Sequence, residues 1–86
     1  MSEKEIGKVT HYFARLNVAV LSLTDTLSVG DRIRVRGRSS DLEQTVDSMQ
    51  IEHKTVLQVG AGQEVALHVI ERVREGDVVY RVTPNG

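Results

Sequence analysis

The 86-residue chain contains no cysteine, which excludes a disulfide framework, thiolate catalysis and zinc–thiolate sites. Tryptophan is also missing, and with one phenylalanine and two tyrosines a core must be mainly aliphatic. No segment approaches the roughly 20 apolar residues that a membrane-spanning helix needs. The polar stretch from Met1 to Gly7 does not have the pattern of a signal peptide. We therefore expect a cytoplasmic protein with no membrane partner.

The charges are nearly balanced, with eleven Lys and Arg residues against twelve Asp and Glu residues and a formal net charge of −1. This balance excludes a polycation that binds nucleic acid by charge alone, so any such contact needs a local basic patch. The length predicts one domain over residues 1–86, with a modest core and no large catalytic cleft.

Fourteen valines and four isoleucines favour strands over helices. Glycine-containing turns divide the chain into short apolar runs at regular spacing, which is typical of a barrel or sandwich. We predict an all-β fold, a small closed barrel of six strands with Greek-key-type topology. The predicted strands lie near residues 5–11, 16–23, 32–37, 44–53, 64–70 and 78–82. The barrel then spans about residues 5–82, and residues 83–86 with Pro84 form a short tail.

Within the fourth predicted strand, the alternation of inward-facing and outward-facing residues shifts by one position. This shift indicates a β-bulge around Asp47–Ser48. An alternative interpretation of residues 39–48 is a capped helix, with Ser40 as N-cap and Glu43 three residues later. The alternation on either side favours the strand. Gly-Asp turns recur in the chain, but their flanking residues do not match, so no solenoid is predicted.

Several turn signals follow one another in a recognisable order. Gly7 and Val9 open the first strand, TDTLSVGD occupies residues 24–31, GAGQEVAL residues 60–67, and REGDV residues 74–78. Over residues 5–82 this pattern resembles the second, β-barrel domain of translational GTPases such as elongation factor Tu. The likeness is greatest to small stand-alone translation elongation factor-like proteins. Similar barrels also sit at the C-terminus of collagenase-like peptidases.

The resemblance implies a translation-associated module whose partner is tRNA or ribosomal RNA. The chain lacks the G-x-x-x-x-G-K-[ST] phosphate loop, so neither GTPase activity nor a bound nucleotide is expected on this chain alone. Aspartate after glycine suits a tight turn. The residues assigned to structural turns are Gly7, Gly30, Asp31, Gly62, Gly76 and Asp77.

A row of arginines is the strongest local feature: Arg32, Arg34, Arg36 and Arg38. Period-2 alternation places all four on one side if the extended backbone continues past Gly37. Their spacing of about 6.5–7 Å suits successive phosphates of an extended nucleic acid, so we assign them as RNA-binding. The alternative is pairing with the acidic residues that follow, namely Asp41, Glu43, Asp47 and Glu52, in contacts worth about 0–1 kcal/mol each.

Tyr12 and Phe13 are adjacent, so a strand directs them to opposite faces. One is expected to anchor the core, and the other to lie near the surface with His11 and Arg15, where an aromatic ring could stack on a base. The RNA hypothesis therefore includes Tyr12 and Arg15. It also takes in His53 and Lys54, which follow the bulged strand, although an ordinary solvated turn explains those two as well.

No enzyme is predicted. The histidines His11, His53 and His68 lack metal-ligand spacing, so neither a metal nor another cofactor is expected. The Gly60–Gly62 turn contains G-x-G without a phosphate-loop lysine, and no nucleophile motif such as G-x-S-x-G is present.

Two functions follow from these observations. The first is a non-catalytic translation elongation factor-like module that binds RNA through a basic face. The alternative is a protein-docking accessory domain for a peptidase or an RNA-modifying enzyme. A protein partner would be a peptidase or a translation factor.

Overall fold

The computed structural model describes residues 2–83. Ten strands lie in this range: β1 Ser2–Phe13, β2 Val18–Leu23, β3 Leu27–Ser28, β4 Arg32–Arg36, β5 Asp41–Thr45, β6 Met49–Ile51, β7 Lys54–Val56, β8 Gln58–Val59, β9 Glu64–His68 and β10 Val78–Thr83. The predicted all-β class is confirmed. Within residues 2–83 no helix is long and apolar enough to cross a membrane. The predicted tail begins inside β10, and the rest of it, with Pro84, lies outside the described residues.

Eight strands form one antiparallel sheet in the order β5-β4-β10-β1-β2-β9-β6-β7. The short strands β3 and β8 pair separately. Period-2 alternation explains why one face of the large sheet is apolar. Along β4, Ile33 and Val35 are buried, and they alternate with Arg32, Arg34 and Arg36 on the outer face. The same alternation in β2 and β9 adds Leu21, Val65 and Leu67 to an aliphatic core.

The sheet is not closed into a barrel, and it has more than six strands, so the predicted closed six-stranded barrel is wrong in both respects. Strands β5 and β7 remain as its two edges. The buried side chain of Gln44 in β5 reaches across to the end of β9 instead. Its Nε2 donates to the His68 carbonyl, and its Oε1 accepts from the Ile70 amide, both at 2.8 Å. One carboxamide thus makes the pair of bonds that a backbone ladder would otherwise supply.

The predicted fourth strand is divided into β5 and β6, with residues 46–48 between them. Strand β5 pairs with β4, whereas β6 pairs with β9 and β7. Residues Asp47–Ser48 therefore form a corner where the chain changes its pairing partners, rather than a bulge within one strand. The helical alternative for residues 39–48 is also wrong, because Asp41–Thr45 is a strand.

The pattern did not predict the three shortest strands, β3, β7 and β8, since two or three residues carry no measurable alternation. The first strand is longer than predicted, and register shifts interrupt its pairing between Glu5 and Gly7 and between Val9 and His11. At Gly7 a Cβ would overlap the Ser22 carbonyl of the neighbouring strand. The assignment of Gly7 to a turn is wrong, because this residue lies within β1 and pairs with both neighbouring strands. Glycine is needed there for the close approach of β2.

An ion-pair cluster ties the segment before β3 to β1 and β10. Asp25 lies 2.7 Å from the Lys4 ammonium and 3.3 Å from the Arg81 guanidinium. The hydrogen bond from Lys4, followed by one from the Thr26 amide, lowers the pKa of Asp25 to about 2. The carboxylate form of Asp25 is therefore favoured by the folded chain.

Candidate functional site

The arginine row lies on the outer face of β4, but neighbouring acids occupy it. Arg34 donates two hydrogen bonds to Asp41, at 3.0 and 3.1 Å, and one to Glu3 at 3.3 Å. Arg32 pairs with Glu43. The contact with Arg34 lowers the pKa of Asp41 and raises the pKa of the guanidinium.

Arg36 completes this surface, with its guanidinium 3.5 Å from Glu3 and above the Tyr80 ring at 5.8 Å from the centroid. Antiparallel pairing brings β5 beside β4, which explains the contacts to Asp41 and Glu43. Glu3 comes from the far end of the sequence, across β10. The pairing alternative therefore describes Arg32 and Arg34, which meet Glu43 and Asp41. Arg36 pairs instead with Glu3, a carboxylate that the sequence pattern could not indicate.

The remaining predicted basic residues do not join this row. Strand β4 ends at Arg36. The extended backbone therefore does not continue through Gly37, as it would have to for Arg38 to align with the other three arginines. Arg15 lies in the turn between β1 and β2, and His53 and Lys54 lie at the turn between β6 and β7. The eight residues assigned to RNA binding are thus spread over three separate regions.

The two adjacent aromatic residues do point to opposite faces, as predicted, but their roles are reversed relative to the RNA hypothesis. Tyr12 packs against the core, and its hydroxyl lies 3.2 Å from Asn17 Oδ1. Phe13 is 44% exposed, and its ring centroid lies 4.4 Å from that of His11. The accessible ring is therefore Phe13 rather than Tyr12.

A groove on the outer face of the sheet lies beside Phe13. Its apolar lining includes Phe13, Val20 and Ala66, and the β6–β7 turn forms part of the wall with Glu52 and His53. Its volume is about 530 Å³. It is formed by outward-facing residues of β1, β2, β9 and β6, four consecutive strands of the sheet.

This groove is not among the predicted sites, although the sequence contains a signal for it. Strand β2 begins with the continuous apolar run Val18–Leu21, and β9 contains Val65–Leu67. A strand with one solvated face alternates, whereas continuous apolar runs indicate that both faces carry apolar side chains. These runs therefore indicate an apolar outer surface as well as the positions of the strands.

Two further apolar patches are exposed. The tip patch consists of Leu16 and Ile70, 65% and 61% exposed, which flank a backbone hydrogen bond from the Val69 amide to the Asn17 carbonyl. The β3–β8 patch consists of Val29 and Leu57, 36% and 75% exposed, and the Val29 amide donates to the Leu57 carbonyl.

The three histidines are not brought together as metal ligands: residues 2–83 contain no group of three or more His, Cys, Asp or Glu side chains placed to hold an ion. The turn residues Gly30, Gly62 and Gly76 all have positive φ, at 98°, 85° and 91°, as their assignment to tight turns requires.

The chain is similar to proteins named as proteases. It is 39% identical over 77 residues to an uncharacterized protease of Methanocaldococcus jannaschii, a match covering 88% of this chain and 19% of that protein. It is 35% identical over 78 residues to a collagenase of Porphyromonas gingivalis, covering 88% of this chain and 22% of that protein. The chain thus spans about a fifth of the length of the curated relatives it matches. No known protein-family profile matches the chain.

The same fold occurs in a crystal structure of the C-terminal domain of a Geobacillus thermoleovorans protein named as a U32 peptidase. The TM-score is 0.87 over 93% of each chain, at 14% sequence identity. A likeness at this identity establishes the shared fold alone.

These relatives overturn the identification as an elongation factor-like protein and, with it, the predicted translational, RNA-binding function. Proteins that are 35–39% identical to this chain over the matched residues are named as collagenase and protease. The features that carried the resemblance were turns and apolar positions. They specify a backbone geometry that proteins of different function can share, whereas function depends on particular sites.

Proposed function

We propose that this chain is a non-catalytic accessory module of a collagenase-like peptidase, which docks onto the part of the enzyme that carries the reaction. The match to the archaeal protein named as a protease carries this proposal, since it extends over 88% of this chain but only 19% of that protein. A match that covers most of this chain but only a small part of the relative is expected for a module used inside a larger enzyme. The fold likeness to a C-terminal domain of a peptidase-named protein supports the same interpretation.

The polar interior supports a structural rather than a catalytic role. The buried Gln44 side chain is held by backbone groups on both its oxygen and its nitrogen. Buried Asp77 accepts a hydrogen bond from the Arg74 amide at 2.9 Å. These side chains supply hydrogen-bond partners to backbone amide and carbonyl groups. A general acid or base, in contrast, must be able to reach a substrate proton.

The two apolar patches supply candidate contacts with the rest of such an enzyme. Single exposed apolar residues are ordinary on protein surfaces. Here the Val29 amide donates to the Leu57 carbonyl, and Leu16 and Ile70 adjoin the hydrogen-bonded residues Asn17 and Val69. The arginine face is less suited to docking, because its charges already neutralise one another within the chain.

The proposal is tested in the Porphyromonas gingivalis collagenase by deleting the matched 78 residues in one variant and replacing them with this chain in another. We expect the deletion to lower collagen cleavage strongly, and the replacement to restore it. The isolated chain should cleave no collagen. Full activity of the deletion variant would contradict an accessory role, and cleavage by the isolated chain would contradict a non-catalytic one.

The docking surface is tested within the replacement enzyme. Leu16→Asp with Ile70→Asp, and separately Val29→Asp with Leu57→Asp, introduce charge into one patch at a time. We expect at least one pair to lower activity to the level of the deletion, while circular dichroism shows a folded module. Ser39→Asp with Ser48→Asp, at exposed polar positions, is the matched control. Docking through these patches is wrong if neither apolar pair differs from that control.

A further inference from the structure

The groove beside Phe13 carries apolar side chains on the solvent-facing side of the sheet. Its lining combines the half-exposed Phe13 ring with the partly buried side chains of Val20, Ile51 and Ala66. Its volume of about 530 Å³ falls within the range of about 300–1,000 Å³ common for ligand sites. An apolar residue of a ligand could therefore be desolvated here.

The charge at the edge of the groove has one sign. Glu52 and Glu64 line it, and its described lining includes no lysine or arginine. Within residues 2–83 neither carboxylate makes an ion pair, although Thr10 donates a hydrogen bond of 3.4 Å to Glu64. The arginine face differs, because its carboxylates on Glu3 and Glu43 are matched by guanidinium groups.

The backbone holds one of these acids at the edge of the groove in an unusual conformation. Glu52 and His53 are consecutive non-glycine residues with φ of 50° and 66°. Two successive positive φ values are typical of the type I′ hairpin turn, where asparagine and glycine are preferred. The chain thus carries a carboxylate and an imidazole at positions where their side chains cost conformational energy.

We propose that this groove binds an extended segment of a partner protein that carries lysine or arginine two residues before and two residues after an apolar residue, since these positions share one face of an extended chain. The apolar side chain lies against Phe13, Val20 and Ala66, and the flanking cations pair with Glu52 and Glu64. Charge complementarity selects this occupant, because the groove offers two unpaired carboxylates and no competing cation from lysine or arginine among its described lining residues. The site goes beyond the accessory role and does not depend on it.

The test is an NMR titration of the full chain with three capped heptapeptides: Gly-Lys-Gly-Leu-Gly-Lys-Gly, Gly-Glu-Gly-Leu-Gly-Glu-Gly and Gly-Lys-Gly-Gly-Gly-Lys-Gly. For the first peptide we expect saturable amide shifts centred on Gln50, Glu52 and Ala66, which weaken at high salt. The acidic peptide should give no saturable shift. The peptide lacking leucine should bind more weakly, and replacing Phe13 with alanine should remove that difference.

The charge contribution is tested with the double variant Glu52→Gln and Glu64→Gln, which should weaken binding of the lysine peptide about fivefold to tenfold. The matched control, Glu5→Gln with Glu71→Gln, removes the same charge at exposed positions outside the groove. Equal weakening in both double variants, saturable binding of the acidic peptide, or shifts centred elsewhere would overturn the proposal. Absence of any saturable shift with the lysine peptide would overturn it as well.

Discussion

The two Gly-Asp turns, residues 28–31 and 74–77, share one local design. The glycine is the third residue of each turn, and the aspartate that follows accepts a hydrogen bond from the amide of the first residue. That bond is 2.9 Å long in both cases, from Ser28 to Asp31 and from Arg74 to Asp77. Each aspartate amide in turn donates to the first residue's carbonyl.

The neighbouring backbone is also equivalent. Val46 exchanges two hydrogen bonds of 2.8 Å with the first turn, and Val9 does the same with the second. The strands that follow the turns, β4 and β10, pair with each other at the centre of the order β5-β4-β10-β1. The Gly-Asp repeat is therefore a repeat of backbone geometry, even though the flanking side chains differ.

The turns differ in their surroundings. Asp77 is buried, with 6% exposure, and its carboxylate occupies the position that a Cβ on Gly37 would take. Asp31 is partly exposed. We therefore expect the same local motif to contribute differently to stability, because burial removes water as an alternative hydrogen-bond partner.

The largest expected effect tests this difference directly. Asp77→Ala should lower the free energy of unfolding by about 2–3 kcal/mol, because it removes a buried carboxylate and leaves the Arg74 amide without its acceptor. Asp31→Ala should cost about 1 kcal/mol, since water can replace the lost carboxylate. Urea denaturation measures both, with Asp47→Ala at an exposed position outside either turn as the control. Equal losses at Asp31 and Asp77 would show that burial does not distinguish the turns.

Gly37→Ala should destabilise the chain by about 1–2 kcal/mol, because the new methyl group displaces the Asp77 carboxylate. In an Asp77→Ala background the same substitution should cost much less, since the obstructing group is gone. A double-mutant cycle by urea denaturation measures this coupling. Strict additivity would contradict the steric account.

The glycines of the two turns should behave alike. Gly30→Ala and Gly76→Ala should each cost about 1–2 kcal/mol, because both glycines have φ near 90°. Among residues 2–83, no atom outside the adjoining residues lies within 4 Å of the point where a Cβ would stand, so only backbone strain contributes. Thermal unfolding should give matching shifts in Tm for the two variants. A large difference between them would mean that the turns are not equivalent even locally.

The smallest effect concerns acid. Asp25, just before the first turn, has its pKa lowered to about 2 from 3.8. Its contribution to stability is therefore complete above about pH 4 and is lost as the pH falls towards 2. Asp25→Asn should reduce the loss of stability across this range, whereas Ser39→Asn, an uncharged substitution at an exposed position, should leave it unchanged. Urea denaturation at several pH values separates the two.

Much of the secondary structure followed from the sequence because its signals are local. The strict alternation of Arg32 to Arg36 placed β4 to within one residue, and the valine-rich runs located β2, β9 and β10. The β5–β6 corner was misread as a bulge, because the residue pattern records which face a side chain occupies but not which strand lies beside it. Single-domain organisation and cytoplasmic location stay predictions.

The candidate sites were less predictable. Neutralisation of the arginine row by Asp41 and Glu43 was available as an alternative, since those acids follow in the sequence. The contact with Glu3 required β1 and β10 to be brought beside β4. The groove likewise gathers Phe13, Glu52 and Glu64 from three strands or turns, and no local spacing relates them.

The sequence by itself determined the all-β class, most strand positions and the two Gly-Asp turns, because alternation and positive φ are properties of short segments. The tertiary structure alone decided that the sheet stays open and is bridged by Gln44. It also decided that Asp77 is buried while Asp31 is not, and that Glu52 and Glu64, within residues 2–83, remain without an ion pair beside an apolar groove. These outcomes depend on which distant segments become neighbours, and each therefore requires the packed chain.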